Sequence, residues 1–218
     1  MRKTFDAELL ELGRELTAMA GTARDAIDQV TSSLSSGDEA GAKATIDLTA
    51  SMDQQERDIE NHCMSLLMRQ QPVARDLRQI SAALKMITDM ERIGDQAEDI
   101  AEIVAFLDGR QAENDALLKE MAKAVIQMVT ESVDAYVKCD IMLAKKVIAA
   151  DDVVDEQFAR VKQSLIGKIA ADPADGEYAL DLLMIAKYYE RIGDHATNIA
   201  EWVIYSVTGT HKDEITLT

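Results

Sequence analysis

Glu91, Asp95 and Asp99 recur at steps of four residues, and Glu190, Asp194 and Asn198 repeat the same steps 99 residues further on. Both sets begin in the string ERIGD, at 91–95 and 190–194. Residues four apart share one face of a helix, so each set stacks oxygen-bearing side chains along a single line. Stacked carboxylates repel one another, and a bound cation relieves several of them at once. Oxygen-only ligation suits hard cations such as Mg²⁺, Ca²⁺, Mn²⁺ or oxidised iron, with zinc as a substitute.

The surrounding sequence sharpens this reading. At about 100° per residue, Ile80, Leu84 and Ile87 fall on the line that continues into Glu91, so an apolar seam turns into an acidic one. Ala179, Leu183 and Ala186 lead into Glu190 in the same way. A carboxylate turned toward a bundle interior loses hydration, at a cost of several kcal/mol unless it is neutralised. Arg92 and Arg191 supply one alternative to a metal, namely ion pairs at the edge of the seam. Protonation is another, and it needs raised pKa values. The preceding helices offer facing acids: Asp53 and Glu56, with Glu60, in the first half, and Asp151 and Asp155, beside Asp152, in the second. Gly94 and Gly193 leave room for a neighbouring helix or an ion, although close helix packing alone accounts for a glycine equally well.

Other chemistry is poorly represented. His62, His195 and His211 stand apart from the acidic lines and read as surface or structural residues. The Glu-x-x-His pair of di-iron bundles is missing, as are a P-loop, a GxSxG element and triad spacing. Eleven methionines at helical spacing read as core filler. Cys63 and Cys139, one in each half, read as reduced thiols.

The elements that must position the acids are helices. Phe5, Leu9, Leu12, Leu16, Met19, Ala23, Ile27, Val30 and Leu34 give a first amphipathic helix, which ends at SSGDEAG. A second is expected over about 38–69 and a third over about 73–107. The second half repeats the plan over about 112–138, 140–170 and 174–207. Pro72 and Pro173 each fall in the loop before an ERIGD helix, where proline ends one helix and suits the start of the next. Ten of the sixteen positions in ERIGDQAEDIAEIVAF and ERIGDHATNIAEWVIY are identical, which points to duplication. The expected fold is all-α: two tandem three-helix bundles at 1–108 and 109–210, with a polar tail at 211–218.

The totals agree. Low aromatic content (4%) with 2 prolines favours helices over strands. A formal charge of −17 disfavours nucleic acid and anionic lipid, and favours metal cations or a partner with a basic face. No stretch is apolar and long enough to span a bilayer, and the amino terminus lacks the apolar core of a signal peptide. The sequence therefore predicts a cytoplasmic protein whose contact with membranes is peripheral.

The doubled ERIGD, the run RQQPVARDLRQI and the segment DDVVDEQF resemble the PhoU family of phosphate-uptake regulators, over roughly Phe5 to Val207. Its E/D-x-x-x-D motifs fall on Glu91/Asp95, continuing to Asp99, and on Glu190/Asp194, continuing to Asn198. Asp151 and Asp155 match the acidic motif of the preceding helix. Thr49 stands where the first half would repeat Asp151, and Asn198 replaces an acid. The resemblance implies two similar three-helix bundles that carry metal ions, including iron, on these faces. It also implies an often oligomeric (dimeric), non-enzymatic negative regulator of phosphate uptake and of phosphate-starvation transcription. Such a regulator bridges the ATPase of a phosphate ABC transporter and a sensor histidine kinase. Two alternatives are an accessory to a different phosphate transporter and a metal-dependent helical enzyme, the latter requiring open coordination positions and a nearby acid or base.

Overall fold

The computed structural model describes residues 2–70, 72–107, 109–110 and 116–210. The expected start of the fourth helix near 112 and the tail at 211–218 lie outside the described residues. Six long helices follow one another: α1 (Arg2–Ser36), α2 (Glu39–Gln70), α3 (Ala74–Phe106), α4 (Ala116–Lys138), α5 (Ile141–Ala171) and α6 (Gly176–Thr208). Among the described residues there is no strand, and no helix is long and apolar enough to cross a membrane.

Local chemistry sets the boundaries. Asp140 caps α5 by accepting from the amides of Met142 and Leu143, and so satisfies donors that the helix start leaves open. Pro173 opens a short 3-10 turn (Pro173–Asp175), so α6 begins slightly later than the expected 174. Gly209, at φ 80°, closes α6 in the left-handed conformation that glycine adopts without a Cβ penalty. The turn between α4 and α5 places Cys139 at φ 50°, in the same region but with a side chain.

Two up-down-up bundles, α1–α3 and α4–α6, pack against each other, most extensively through α3 and α6. Asp89 of α3 meets His195 and Asn198 of α6, whereas Asp99 lies near Arg191 and Tyr188. The reversed order makes the two helices antiparallel. At the 99-residue offset Asp89 matches Tyr188 and Asp99 matches Asn198, so these two contacts are related by an internal two-fold. The core is continuous across both bundles, from Leu12, Leu16 and Met19 through Ile80, Met86 and Met90 to Ile185, Ile192 and Ile199. Polar ties cross the bundles as well. Tyr136 of α4 donates to the carbonyl of Gln79 at 2.9 Å, and the hydroxyls of Thr31 and Tyr189 lie 2.7 Å apart.

Candidate functional site

Two acidic faces form, one between α2 and α3 and one between α5 and α6. On the first, Asp53 and Glu56 of α2 face Glu91 of α3, as expected. Burial pushes the Glu91 carboxyl up, with Asp95, Glu56 and Asp53 adding to the rise and Arg92 opposing it. Glu56 is raised for the same reason, by burial and by Glu60 and Asp53. On the second, Asp151 and Asp155 of α5 face Asp194 of α6. Burial, Asp194 and Asp155 together push Asp151 from its ordinary 3.8 to about 6. Asp194 is raised by burial and by Glu190, against the pull of Lys187.

The two lines of acids do not stay on one face. Four residues turn a helix by about 400°, so each step drifts about 40° and two steps drift about 80°. Glu91 therefore looks toward α2, while Asp99 has turned toward α6. There it borders a cavity of ≈ 330 Å³ with Asp95, Glu98 and Glu102, between Arg92 and Arg191. Burial, Glu102 and Asp95 raise Asp99, and Arg191 offsets part of the rise. The same drift carries Asn198 out of the α5–α6 face, and its amide donates to Asp89 at 3.1 Å. His195 shares that acceptor at 2.9 Å, a structural role for this histidine.

Cations meet the acids in part. Arg92 lies 3.6 Å from Glu91 and 3.3 Å from Asp95, but its side chain is well exposed. Lys187 pairs with Glu190 and lies over the Phe158 ring. The periodicity of the acids gave no sign of Lys187, which sits three residues before Glu190 on the same helix. The exposed Arg92 pairs contribute little, and Glu91 stays raised despite Arg92, as Asp194 does despite Lys187.

The two faces also differ in one exchange that only their superposition reveals. Thr49 of α2 donates to Glu98 of α3 at 2.8 Å. At the equivalent positions of the second half α5 supplies the acid, Asp151, and α6 supplies the hydroxyl, Thr197. That hydroxyl is buried without a full hydrogen bond, yet it lies close enough to Asp151 to hold its pKa partly down. Thr49 therefore does not simply thin the first face, because Glu98 restores the carboxylate from the opposite helix. The glycines differ too. A Cβ on Gly94 would come within 3.1 Å of the Met52 sulfur, whereas one on Gly193 would meet Asp151 and Val154 at ordinary contact distances of 3.4 and 3.5 Å.

The donor types and the crowding of charge suit a hard cation. The arrangement does not yet suit one: among the described residues, no three His, Cys, Asp or Glu side chains converge closely enough to hold a metal ion. The faces are thus concentrations of only partly compensated oxygen donors rather than closed coordination shells.

Residues 16–104 and 118–203 each match the family model of the PhoU domain. The chain is 36% identical over 216 residues to a phosphate-specific transport system accessory protein PhoU homolog of Clostridium acetobutylicum, covering 97% of this chain and 98% of that one. It is 34% identical to the homolog of the same description from Pseudomonas aeruginosa, over 98% and 89% of the two chains. The crystal structure of PhoU from Pseudomonas aeruginosa superposes with a TM-score of 0.87 at 34% identity, covering 94% of this chain and 100% of that chain. The crystal structure of the phosphate transport system regulatory protein PhoU from Streptococcus pneumoniae gives 0.86 at 25% identity, over 95% and 98%.

Proposed function

The chain belongs to the PhoU family, and from that premise we propose that it is a cytoplasmic, non-enzymatic regulator of phosphate uptake. In this reading it acts as an adaptor between the ATPase of a phosphate ABC transporter and a sensor histidine kinase, and it restrains both uptake and the transcriptional response to phosphate starvation. The observation that carries the reading is the pair of acidic faces, in a chain whose relatives along almost their whole length are accessory proteins of phosphate transport. A surface that keeps Glu56, Glu91, Asp99, Asp151 and Asp194 at raised pKa gives up stability to hold negative charge in place. Charge held in this way favours binding of cations or of cationic partner surfaces.

Metal binding belongs to the same proposal. Asp53, Glu56, Glu91 and Asp95 on one face, and Asp151, Asp155, Glu190 and Asp194 on the other, would have to swing toward one another to take up iron or a similar cation. Asp99 and Asn198 would contribute only by leaving their present surroundings beside Arg191 and Asp89. A bound cation would neutralise the crowded carboxylates and stiffen the helix pair.

The test replaces Glu91, Asp95, Glu190 and Asp194 together by alanine. Elemental analysis after purification without chelators, and phosphate uptake by cells grown in excess phosphate, are then compared with wild type. The expected outcome is loss of retained metal and uptake that no longer shuts down. Normal shutdown of uptake in the quadruple variant would refute the regulatory role of the acidic faces, and equal metal retention would refute the metal proposal.

A further inference from the structure

The carboxyl end of α3 and the amino end of α6 enclose a groove of ≈ 500 Å³, away from the acidic faces described above. Ile103, Phe106 and Leu107 form one wall, and Glu177, Tyr178 and Asp181 form the other. Phe106 is 81% exposed, an unusual state for an aromatic ring beside a concave surface. Along α6, Leu180 (58% exposed) lies three residues from Glu177 and Met184 (45%) three from Asp181, and both extend the apolar surface past the groove's rim. The result is an apolar strip with two carboxylates, one turn apart, set into it.

Charge decides what such a strip would accept. Arg110, the cation of the groove, is already engaged: it pairs with Asp175 at 2.7 Å and stacks over the Tyr178 ring at 4.1 Å. The last turn of α3 carries no basic residue, so no cation within that turn offsets the negative end of its dipole. The positive end of α6 is already matched by Glu177. An anionic membrane surface would be repelled here. A second copy of a chain with net charge −17 would be disfavoured as well.

We propose that this groove docks a basic amphipathic helical segment of a partner protein. Its apolar side chains would cover Phe106, Leu180 and Met184, and lysine or arginine residues one turn apart would face Glu177 and Asp181. This groove is separate from the acidic faces, and its docking role does not depend on the chain regulating phosphate uptake.

The probe is a fluorescent Leu/Lys peptide of about 18 residues patterned as an amphipathic helix, beside a scrambled peptide of equal composition with no apolar face. Anisotropy titrations compare the full chain with Phe106→Ala, with Glu177→Gln/Asp181→Asn, and with the charge-matched control Glu11→Gln/Glu156→Gln. All five positions are exposed or half-exposed, and circular dichroism verifies that each variant keeps its helices. The proposal expects about tenfold weaker binding for each groove variant, a change under about twofold for the control, and about tenfold weaker binding of the scrambled peptide. Equal binding of both peptides, or an unchanged affinity in Phe106→Ala, overturns it by reducing the effect to net charge. Phe106-dependent uptake by phosphatidylglycerol vesicles, or self-association lost in Phe106→Ala, would overturn it by assigning the groove to lipid or to a second copy.

Discussion

Replacing Asp151 by asparagine removes a charge that the fold holds at a disadvantage. In the folded chain, burial together with Asp194 and Asp155 raises the Asp151 carboxyl from 3.8 to about 6. Between those values the folded state binds the proton more tightly than the unfolded state. Stability therefore falls as pH rises through that window, and the full penalty is present above about pH 6. A difference of that size corresponds to about 3 kcal/mol. Asp151 is only partly buried, however, and water screens much of its repulsion, which leaves about 1 kcal/mol. Asparagine keeps the shape and can still meet the Thr197 hydroxyl. In the presence of a chelator, Asp151→Asn should thus be about 1 kcal/mol more stable than wild type at pH 7, raising Tm by about 2–4 °C. The gain should shrink toward nothing as pH falls below 3.8, where Asp151 is protonated in the folded and the unfolded chain alike. Urea unfolding at a series of pH values measures both quantities. A variant no more stable than wild type at pH 7, with the same dependence on pH, would refute the claim that this acidic face stores electrostatic strain. If a cation relieves that strain, adding Mn²⁺ should stabilise wild type more than the variant.

Two further outcomes follow from other positions. His62 of α2 sits between Glu15 (2.7 Å) and Glu8 (3.0 Å) of α1; burial alone would lower its pKa, but the two carboxylates outweigh burial and raise it. Its contribution is therefore full below the ordinary value of 6.5 and is lost as pH rises through the raised folded value, so the stability advantage of wild type over His62→Gln should decline toward alkaline pH in urea titrations; a constant difference across that range would contradict the pairing. Gly193→Ala meets only ordinary contacts and should gain most of the helix-propensity difference of about 1 kcal/mol, whereas Gly94→Ala must displace the Met52 sulfur and should gain less; denaturant midpoints of the two variants, ranked in the opposite order, would refute this reading.

The amino-acid sequence by itself determined the six helices, their duplication and the acidic character of the ERIGD segments. These are local properties: periodicity, caps and breakers act within a few turns of one helix, so a wheel suffices to read them. The facing pairs Asp53/Glu56 with Glu91, and Asp151/Asp155 with Asp194, were legible for the same reason, since the repeat implies which helix precedes which. What a wheel cannot supply is the identity of the neighbour at a given angle. Only the packing of α3 between α2 and α6 decided that the drift from Glu91 to Asp99 ends at Arg191, and that Asn198 reaches Asp89 instead of the α5 acids. Tertiary structure alone likewise paired Thr49 with Glu98 and set Thr197 beside Asp151. Such contacts join residues about 50 positions apart on separate helices, and no local rule of helix formation reaches that far.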